Sequence, residues 1–522
     1  MEIVEDRALI VRTRNPEKIT EVIPKSAVMK EVTLPNGKGY EVAVKWNLPN
    51  TKILRNLGFK KAPAPIVRQY DWPGRFRPFD HQKETAAFLT LHRRAFCWNE
   101  QGLGKTMSVI WAADYLMRLG LIRRVLVICP LSIMDSAWRA DLFKTVMKRR
   151  VDIAHGSKDK RVKVINSNAE FVIINYDGVE SVRSELAVGG FDLIVLDEAN
   201  YIKTATTKRW KMINSLIGPD TWLWMLTGTP AAQSPLDAYG LAKMMNPSSV
   251  PQFVGLFRDR VMLKISTFKY IPKPEAQQVV HEVLQPAIRF TKEECLDLPE
   301  LLYSERDTPL TPQQEKYYKL LKKEMLIQVA SADITAFNAA VGMNKLLQIS
   351  SGAVYSDSGE VVEFDCKNKL AELLEVVQES SHKVLIFCNF RHSIDMVQDF
   401  LNQHGITNDA IHGGVSAKRR AEIFNAFQTT PNPHVLVIQP QSAAHGVTLT
   451  AANTIIWFGP VTSAEIWLQA NARVHRAGQR NPCLVVKLVS SEVERKLYKA
   501  LEERTLAQET LLDMYKEVLD IA

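Results

Sequence analysis

A chain of 522 residues is too long for one hydrophobic core and predicts two or three domains. Its 46% hydrophobic and 24% charged residues exclude a disordered chain, and a net charge of +9 is a modest excess for this length. Six scattered cysteines, with no Cys-x-x-Cys pair and no Cys/His cluster, give neither a disulfide framework nor a zinc site. Apolar runs such as "VLVICPL" and "VLIFC" fall short of the roughly 18 residues of a membrane helix. The start "MEIVEDRALIV" carries acids where a signal peptide carries bases, so a soluble, intracellular protein with no membrane partner is expected.

In chain order, residues 1–76 hold 14 Lys or Arg against 8 Asp or Glu, a surplus of 6 out of the total of 9. Such a module is an electrostatic footprint for nucleic acid, or an ordinary solvated surface. "AVMKEVTL" and "YEVAVKW" alternate as strands around Pro35-Asn36-Gly37, a tight hairpin signal. A short helix follows, with Asn50 as its cap and Gly58 as its stop. The proline-punctuated "KKAPAPIVRQYDWPGRFRP" reads as a linker, which bounds a small basic β-rich domain at 1–76.

From 77 to 240, "RVLVICPL", "EFVIINY", "FDLIVLDEA" and "WLWMLTGTP" are near-continuously apolar, as strands buried on both faces of a parallel sheet must be. The same texture returns from 365 to 522 in "KVLIFCNF", "HVLVIQP", "NTIIWFGP" and "CLVVKLV", with a helical pattern at the C-terminus. Residues 241–364 are mostly helical in pattern, as in "TPQQEKYYKLLKKEMLIQVA". The expected fold is α/β: two doubly wound sheets, a helical insertion between them, and the N-terminal domain.

Three stretches carry chemistry. "NEQGLGKT", residues 99–106, is a phosphate-binding loop at a strand-to-helix turn, with Asn99 where the pattern opens on glycine. Lys105 then reaches the β and γ phosphates and Thr106 ligates Mg²⁺; alone, the loop is equally a chance turn. "LIVLDEAN" ends a strand in Asp197, placed to hold Mg²⁺, and Glu198, placed to orient or deprotonate water, although Asp-Glu at a strand end is often only solvated. "QANARVHRAGQ" spaces Arg473 and Arg476 three apart, on one face if the segment is helical, where they neutralise transition-state charge or merely face water.

The ordered set resembles the Swi/Snf-type DNA translocases of helicase superfamily two. "RPFDHQ" is similar to the glutamine motif, "NEQGLGKT" to motif I, "LVICPLSIMDSAW" to motif Ia, and "VIINYD" to the nucleic-acid motif after it. "LDEAN" matches motif II, "MLTGTP" motif III, "VLIFCNFRHSIDMV" motif IV, "SAAHGVTLTAANTIIWF" motif V and "QANARVHRAGQ" motif VI. The resemblance covers about residues 77–500, and "RFTKEECLDLPELL" with "LTPQQEKYYKLL" looks like this family's interlobe linker. It implies two RecA-like lobes and a DNA-stimulated ATPase that uses ATP and Mg²⁺. Gln82 would contact adenine, and Gly102, Gly104, Lys105 and Thr106 would wrap the phosphates. Asp197 and Glu198 would handle Mg²⁺ and water, and Arg473 and Arg476 would be arginine fingers. Ser132, Thr227, Thr229 and Gly446 would lie along the nucleic-acid groove or couple it to ATP, gripping phosphates without reading sequence.

A family member commonly has an acid or amide at the position of Asn99. Two other departures carry consequences: Asn200 stands where the family usually has His, which retunes coupling to DNA, and "SAAHG" replaces a glycine pair in motif V. The function expected from the resemblance is ATP-driven movement along double-stranded or branched DNA, serving branch migration, fork or duplex remodelling in replication, recombination or repair. Its rivals are a strand-separating helicase, a motor that clears polymerase or other proteins, and a non-catalytic DNA-binding scaffold. The expected location is the cytoplasm, associated with the nucleoid, of a bacterium or phage-infected cell, or a eukaryotic nucleus; the sequence names no protein partner.

Overall fold

The structure is a computed structural model and describes residues 1–35, 37–228, 231, 234–265, 270–331, 336–355, 361–443 and 447–503, the side chains of 326–340 and 443 excepted. Two compact units divide the chain: residues 1–228, 240–249 and 283–290 form the first, and 229–239, 250–282 and 291–522 the second. Among the described residues no helix is long and apolar enough to cross a membrane.

The first unit opens with four antiparallel strands, β1 (Glu2–Val4), β2 (Ala8–Thr13), β3 (Ala27–Leu34) and β4 (Gly37–Lys45), in the order β1-β2-β4-β3. Leu34 pairs with Gly37, whose φ of 115° suits glycine, so the expected hairpin is present; Asn36 lies outside the described residues. The next helix, Leu48–Asn56, is capped by Asn47, whose side chain accepts from Asn50 N–H at 2.9 Å. The sequence reading put the cap at Asn50. Pro49 explains the shift: it belongs in the first turn, where a missing N–H costs nothing, so the cap precedes it. Gly58, at φ 97°, ends the helix as expected.

Residues 60–78, where the composition suggested a linker, are a strap tied down on two sides. On one side Trp46 Nε1 donates to Pro63 O (2.8 Å) and Gln69 Nε2 to Trp46 O (3.0 Å). On the other, Tyr70 Oη donates to buried Asp114 (2.6 Å), Trp111 Nε1 to Pro73 O (3.0 Å), and Arg75 N–H to Lys144 O (2.8 Å). Asp114 also receives Arg118 and Arg149 at 2.8 and 2.7 Å. Proline rigidity here fixes an ordered path, not a free one.

The main sheet of this unit contains β5 (Arg94–Cys97), β6 (Val125–Cys129), β7 (Val151–Ala154), β8 (Phe171–Asn175), β9 (Leu193–Asp197), β10 (Trp222–Leu226) and β11 (Ala287–Ile288). All pairs are parallel, in the order β11-β5-β10-β9-β6-β8-β7. Every residue of β6, β8, β9 and β10 is buried, which is why these runs read as unbroken apolar sequence. The register sets the site: Leu226 of β10 lies opposite Cys97 on one side and Asp197 on the other.

The second unit holds a parallel sheet of β12 (Leu301–Asp307), β13 (Lys383–Phe387), β14 (Asn408–Ile411), β15 (Val435–Ile438), β16 (Ala452–Trp457) and β17 (Cys483–Val489), ordered β12-β17-β16-β13-β15-β14. Leu385 and Phe387 join one core, and Val384 and Ile386 the other, so both faces are covered. Strand β12 comes from the stretch read as mostly helical. Its "LLYSERD" is half-exposed and polar because it is an edge strand, and that composition hid it. The remainder of 241–364 includes the helices Val254–Val261, Ala276–Val283, Pro312–Ser331 and Ala336–Ser350. Beneath the sheet, Lys369 and Glu494 form a fully buried pair at 2.8 Å, with Ser350 Oγ donating to the same carboxylate at 3.0 Å.

Candidate nucleotide site at the sheet edge

The loop 98–104 leaves the carboxyl end of β5 and enters the helix Lys105–Arg118. Gly102 (φ 90°) and Gly104 (φ 72°) adopt left-handed conformations that the tight turn into the helix requires. A methyl on Gly104 would also lie 2.1 Å from Gln82 Nε2. Gln82 is buried, its Nε2 donating to Leu103 O (3.2 Å) and its Oε1 accepting from Phe79 N–H (3.1 Å). The residue expected to contact adenine thus latches the 98–104 loop. His81 bonds the same Leu103 carbonyl at 3.0 Å.

Asn99 has a clear role. Fully buried, it donates through Nδ2 to Thr85 Oγ1 (2.8 Å) and accepts at Oδ1 from Phe290 N–H (3.0 Å). Glycine could do neither. Along the same flank, Trp98 N–H donates to Ile288 O and Glu100 N–H to Phe290 O, so the chain around β11 is zipped to the loop. Lys105 Nζ donates to Asn99 O (2.8 Å) and Glu100 O (3.3 Å), and Thr106 follows it, half-buried, in the first helical turn.

Asp197 ends β9, buried, with Oδ2 accepting from Trp138 Nε1 (2.8 Å) and Oδ1 from Glu198 N–H (2.9 Å). Burial pushes its carboxyl above the usual carboxylate range, opposed by the Trp138 donor, the Lys105 charge and the Glu198 N–H. A buried acid in that state is suited to an incoming cation. Tyr176, whose hydroxyl donates to Asp197 O (2.8 Å), stacks on Tyr201. Trp138 and Tyr176 stand in recognised motifs, and an indole or phenol donor there was the available signal for their supporting role. Glu198 has a φ of 51°, a left-handed conformation that costs a non-glycine residue about 1–2 kcal/mol. Asn200 Nδ2 donates to Thr227 Oγ1 at 3.2 Å.

Of the residues expected on nucleic acid, Ser132 is exposed in a short 3-10 turn after β6. Thr227 is fully buried, its hydroxyl accepting from Asn200 Nδ2. Thr229 and Gly446 lie outside the described residues.

In the second unit, the helix Ala464–Asn471 ends before Arg473 and Arg476, so the two arginines share no helix face. They meet instead on one carbonyl: both donate from Nη1 to Val447 O, at 3.4 and 3.2 Å. Leu449 N–H donates to Arg473 O (2.9 Å), stitching the end of one motif to the next. Gln479 is a buried staple that sequence reasoning did not single out, bonding Ala452 O through Nε2 (2.8 Å) and accepting from Arg480 and Asn481 N–H.

Two parallel α/β sheets, one edged by the glycine-rich 98–104 loop beside the buried Asp197 and the other by the turn that carries Arg473 and Arg476, are the frame on which two known domains match. The SNF2-related domain matches residues 81–351 and the helicase conserved C-terminal domain residues 367–478. The chain belongs to the SNF2-related family. It is 26% identical over 429 residues to an "Uncharacterized ATP-dependent helicase" of Mycoplasma pneumoniae, covering 80% of this chain and 40% of the relative. It is 25% identical over 440 residues to "Chromodomain-helicase-DNA-binding protein 1-like" of Danio rerio (80% and 41%). To "DNA repair and recombination protein RDH54" of Saccharomyces cerevisiae it is 23% identical over 483 residues (80% and 51%). The chain therefore spans about half or less of the length of these relatives. A solved structure, "Sulfolobus solfataricus SWI2/SNF2 ATPase core in complex with dsDNA", aligns at 23% identity and TM-score 0.42, covering 86% of this chain and 96% of that one.

Proposed function

We propose that this chain is a DNA-stimulated ATPase that moves along double-stranded DNA and remodels it, at forks, branches or duplexes, in replication, recombination or repair. The observation that carries this reading is the parallel register that gathers Lys105, Asp197, Glu198 and Thr227 at one sheet edge, within a chain of the SNF2-related family. The name of the yeast relative, a DNA repair and recombination protein, supports the repair setting.

The site fits ATP with Mg²⁺. The left-handed Gly102 and Gly104 let the loop turn tightly into the helix N-terminus, and the buried Asp197 carboxyl calls for positive charge. Thr106 and Asp197 would hold magnesium, which when bound neutralises charge on the phosphate oxygens. Lys105 exchanges its two loop carbonyls for phosphate oxygens. Glu198 orients the attacking water and takes its proton. Arg473 and Arg476 are assigned to the charge that develops on the terminal phosphate. Asn200 connects the hydrolytic strand end to Thr227, hence to grip on DNA. We place the domain divisions at 76, 240 and 364, and assign the basic N-terminal module to recognising DNA structure.

The test is ATP turnover with single-stranded, duplex, forked and four-way DNA, and RNA as control. Duplex or branched DNA is expected to stimulate most, with binding that weakens steeply with salt. Lys105→Ala should lower turnover by at least about a hundredfold with an unchanged melting temperature. Turnover at the wild-type rate in that variant would sink the assignment, and absence of turnover with any DNA would favour the scaffold.

A further inference from the structure

The strand order places the phosphate loop after β5 and the Asp197–Asn200 segment after β9 on either side of the Thr227–Gly228 turn after β10. A carboxamide reaches that turn from each flank. From the β9 side Asn200 donates to Thr227 Oγ1. From the loop side Gln101 lies against Gly228 so closely that a methyl there would be 2.4 Å from its Nε2, 2.5 Å from Cδ and 2.7 Å from Oε1. Gln101 is only 9% exposed, and its Nε2 has no hydrogen-bond partner among the described residues. The other two carboxamides of the neighbourhood are spent: Asn99 on Thr85 and Phe290, Gln82 on Leu103 and Phe79.

A buried amide donor with nothing to accept it is costly and calls for an explanation. In a phosphate loop the acceptor that arrives is a phosphate oxygen. We propose that Gln101 is a positioning residue that reports the terminal phosphate of ATP to the Thr227–Gly228 turn. When Nε2 donates to that phosphate, the carboxamide wedged on Gly228 turns, and the turn, held on its far flank by Asn200, shifts with it. A Cβ on Gly228 would displace the carboxamide from its present seat. The proposal rests on the nucleotide reading of the loop.

The test measures binding of ADP and of a non-hydrolysable ATP analogue, both with magnesium, to the full chain and to Gln101→Met, Gln101→Ala, Gly228→Ala and Gln101→Ala/Gly228→Ala, with melting temperatures taken without nucleotide. Gln101→Met should lose about tenfold in analogue affinity and less than about twofold in ADP affinity, the scale of one hydrogen bond to a charged group. Its melting temperature should not fall, because the unspent donor is gone. Gly228→Ala should lose the same preference for the analogue, and the double variant should be no worse than Gln101→Ala alone. Equal losses for both nucleotides, or none, in Gln101→Met and Gln101→Ala would overturn the proposal. Wild-type chain that binds neither nucleotide, or Lys105→Ala that binds both as tightly as wild type, removes the nucleotide reading and this proposal with it.

Discussion

The two parallel sheets bury their strands in the same way and hold their working residues differently. In the first, the loops at the carboxyl edge are tied by neutral side chains: Asn99 to Thr85, Gln82 to Leu103, Asn200 to Thr227. In the second, Arg473 and Arg476 converge on a main-chain carbonyl in an irregular turn, and the strong side-chain tie lies deeper, in the Lys369–Glu494 pair. Neutral hydrogen bonds net about 0.5–1.5 kcal/mol each, so they can be traded for ligand contacts at small cost. A buried charge pair cannot be half removed, which suits a frame and not a moving loop.

The largest break in that comparison is Glu494→Ala, which strands the Lys369 ammonium and should cost the second unit about 3–5 kcal/mol in denaturant unfolding. Replacing both partners, as Lys369→Met with Glu494→Leu, should recover most of it; a mild effect of the single variant would place the pair among the tradeable contacts. Next comes Asn99→Gly, which restores the commoner phosphate-loop residue yet loses the bonds to Thr85 and Phe290. It should cost about 1–3 kcal/mol and weaken nucleotide binding. A gain in stability would show that the loop is held elsewhere. The smallest is Tyr70→Phe, removing one bond from the strap to Asp114, expected at about 1 kcal/mol because Arg118 and Arg149 still satisfy the carboxylate. A melting shift as large as that of Glu494→Ala would make the strap part of the frame.

Much of the fold was legible. Strands buried on both faces cannot alternate, so β6, β8, β9 and β10 announced themselves as apolar runs, and the Gly-Lys-Thr and Asp-Glu strand ends marked one edge chemically. Strand β12 was hidden because an edge strand carries polar residues, and the strap because proline signals rigidity without saying what it packs on. The cap fell on Asn47 and not Asn50 because Pro49 needed the first turn, a local effect open to closer reading. Arg473 and Arg476 were paired by spacing and found paired by a shared carbonyl, since the helix stops at Asn471.

The sequence by itself determined the family and the two parallel sheets, because periodicity and short motifs are local properties of the chain. Only the tertiary structure decided what those residues rest on. Asn99 is held by partners 14 and 191 positions away, and Thr227 by one 27 away, and such bonds follow from strand order and register, which no local pattern encodes. The same register buried Thr227 beside Asn200 and set Gln101 against Gly228.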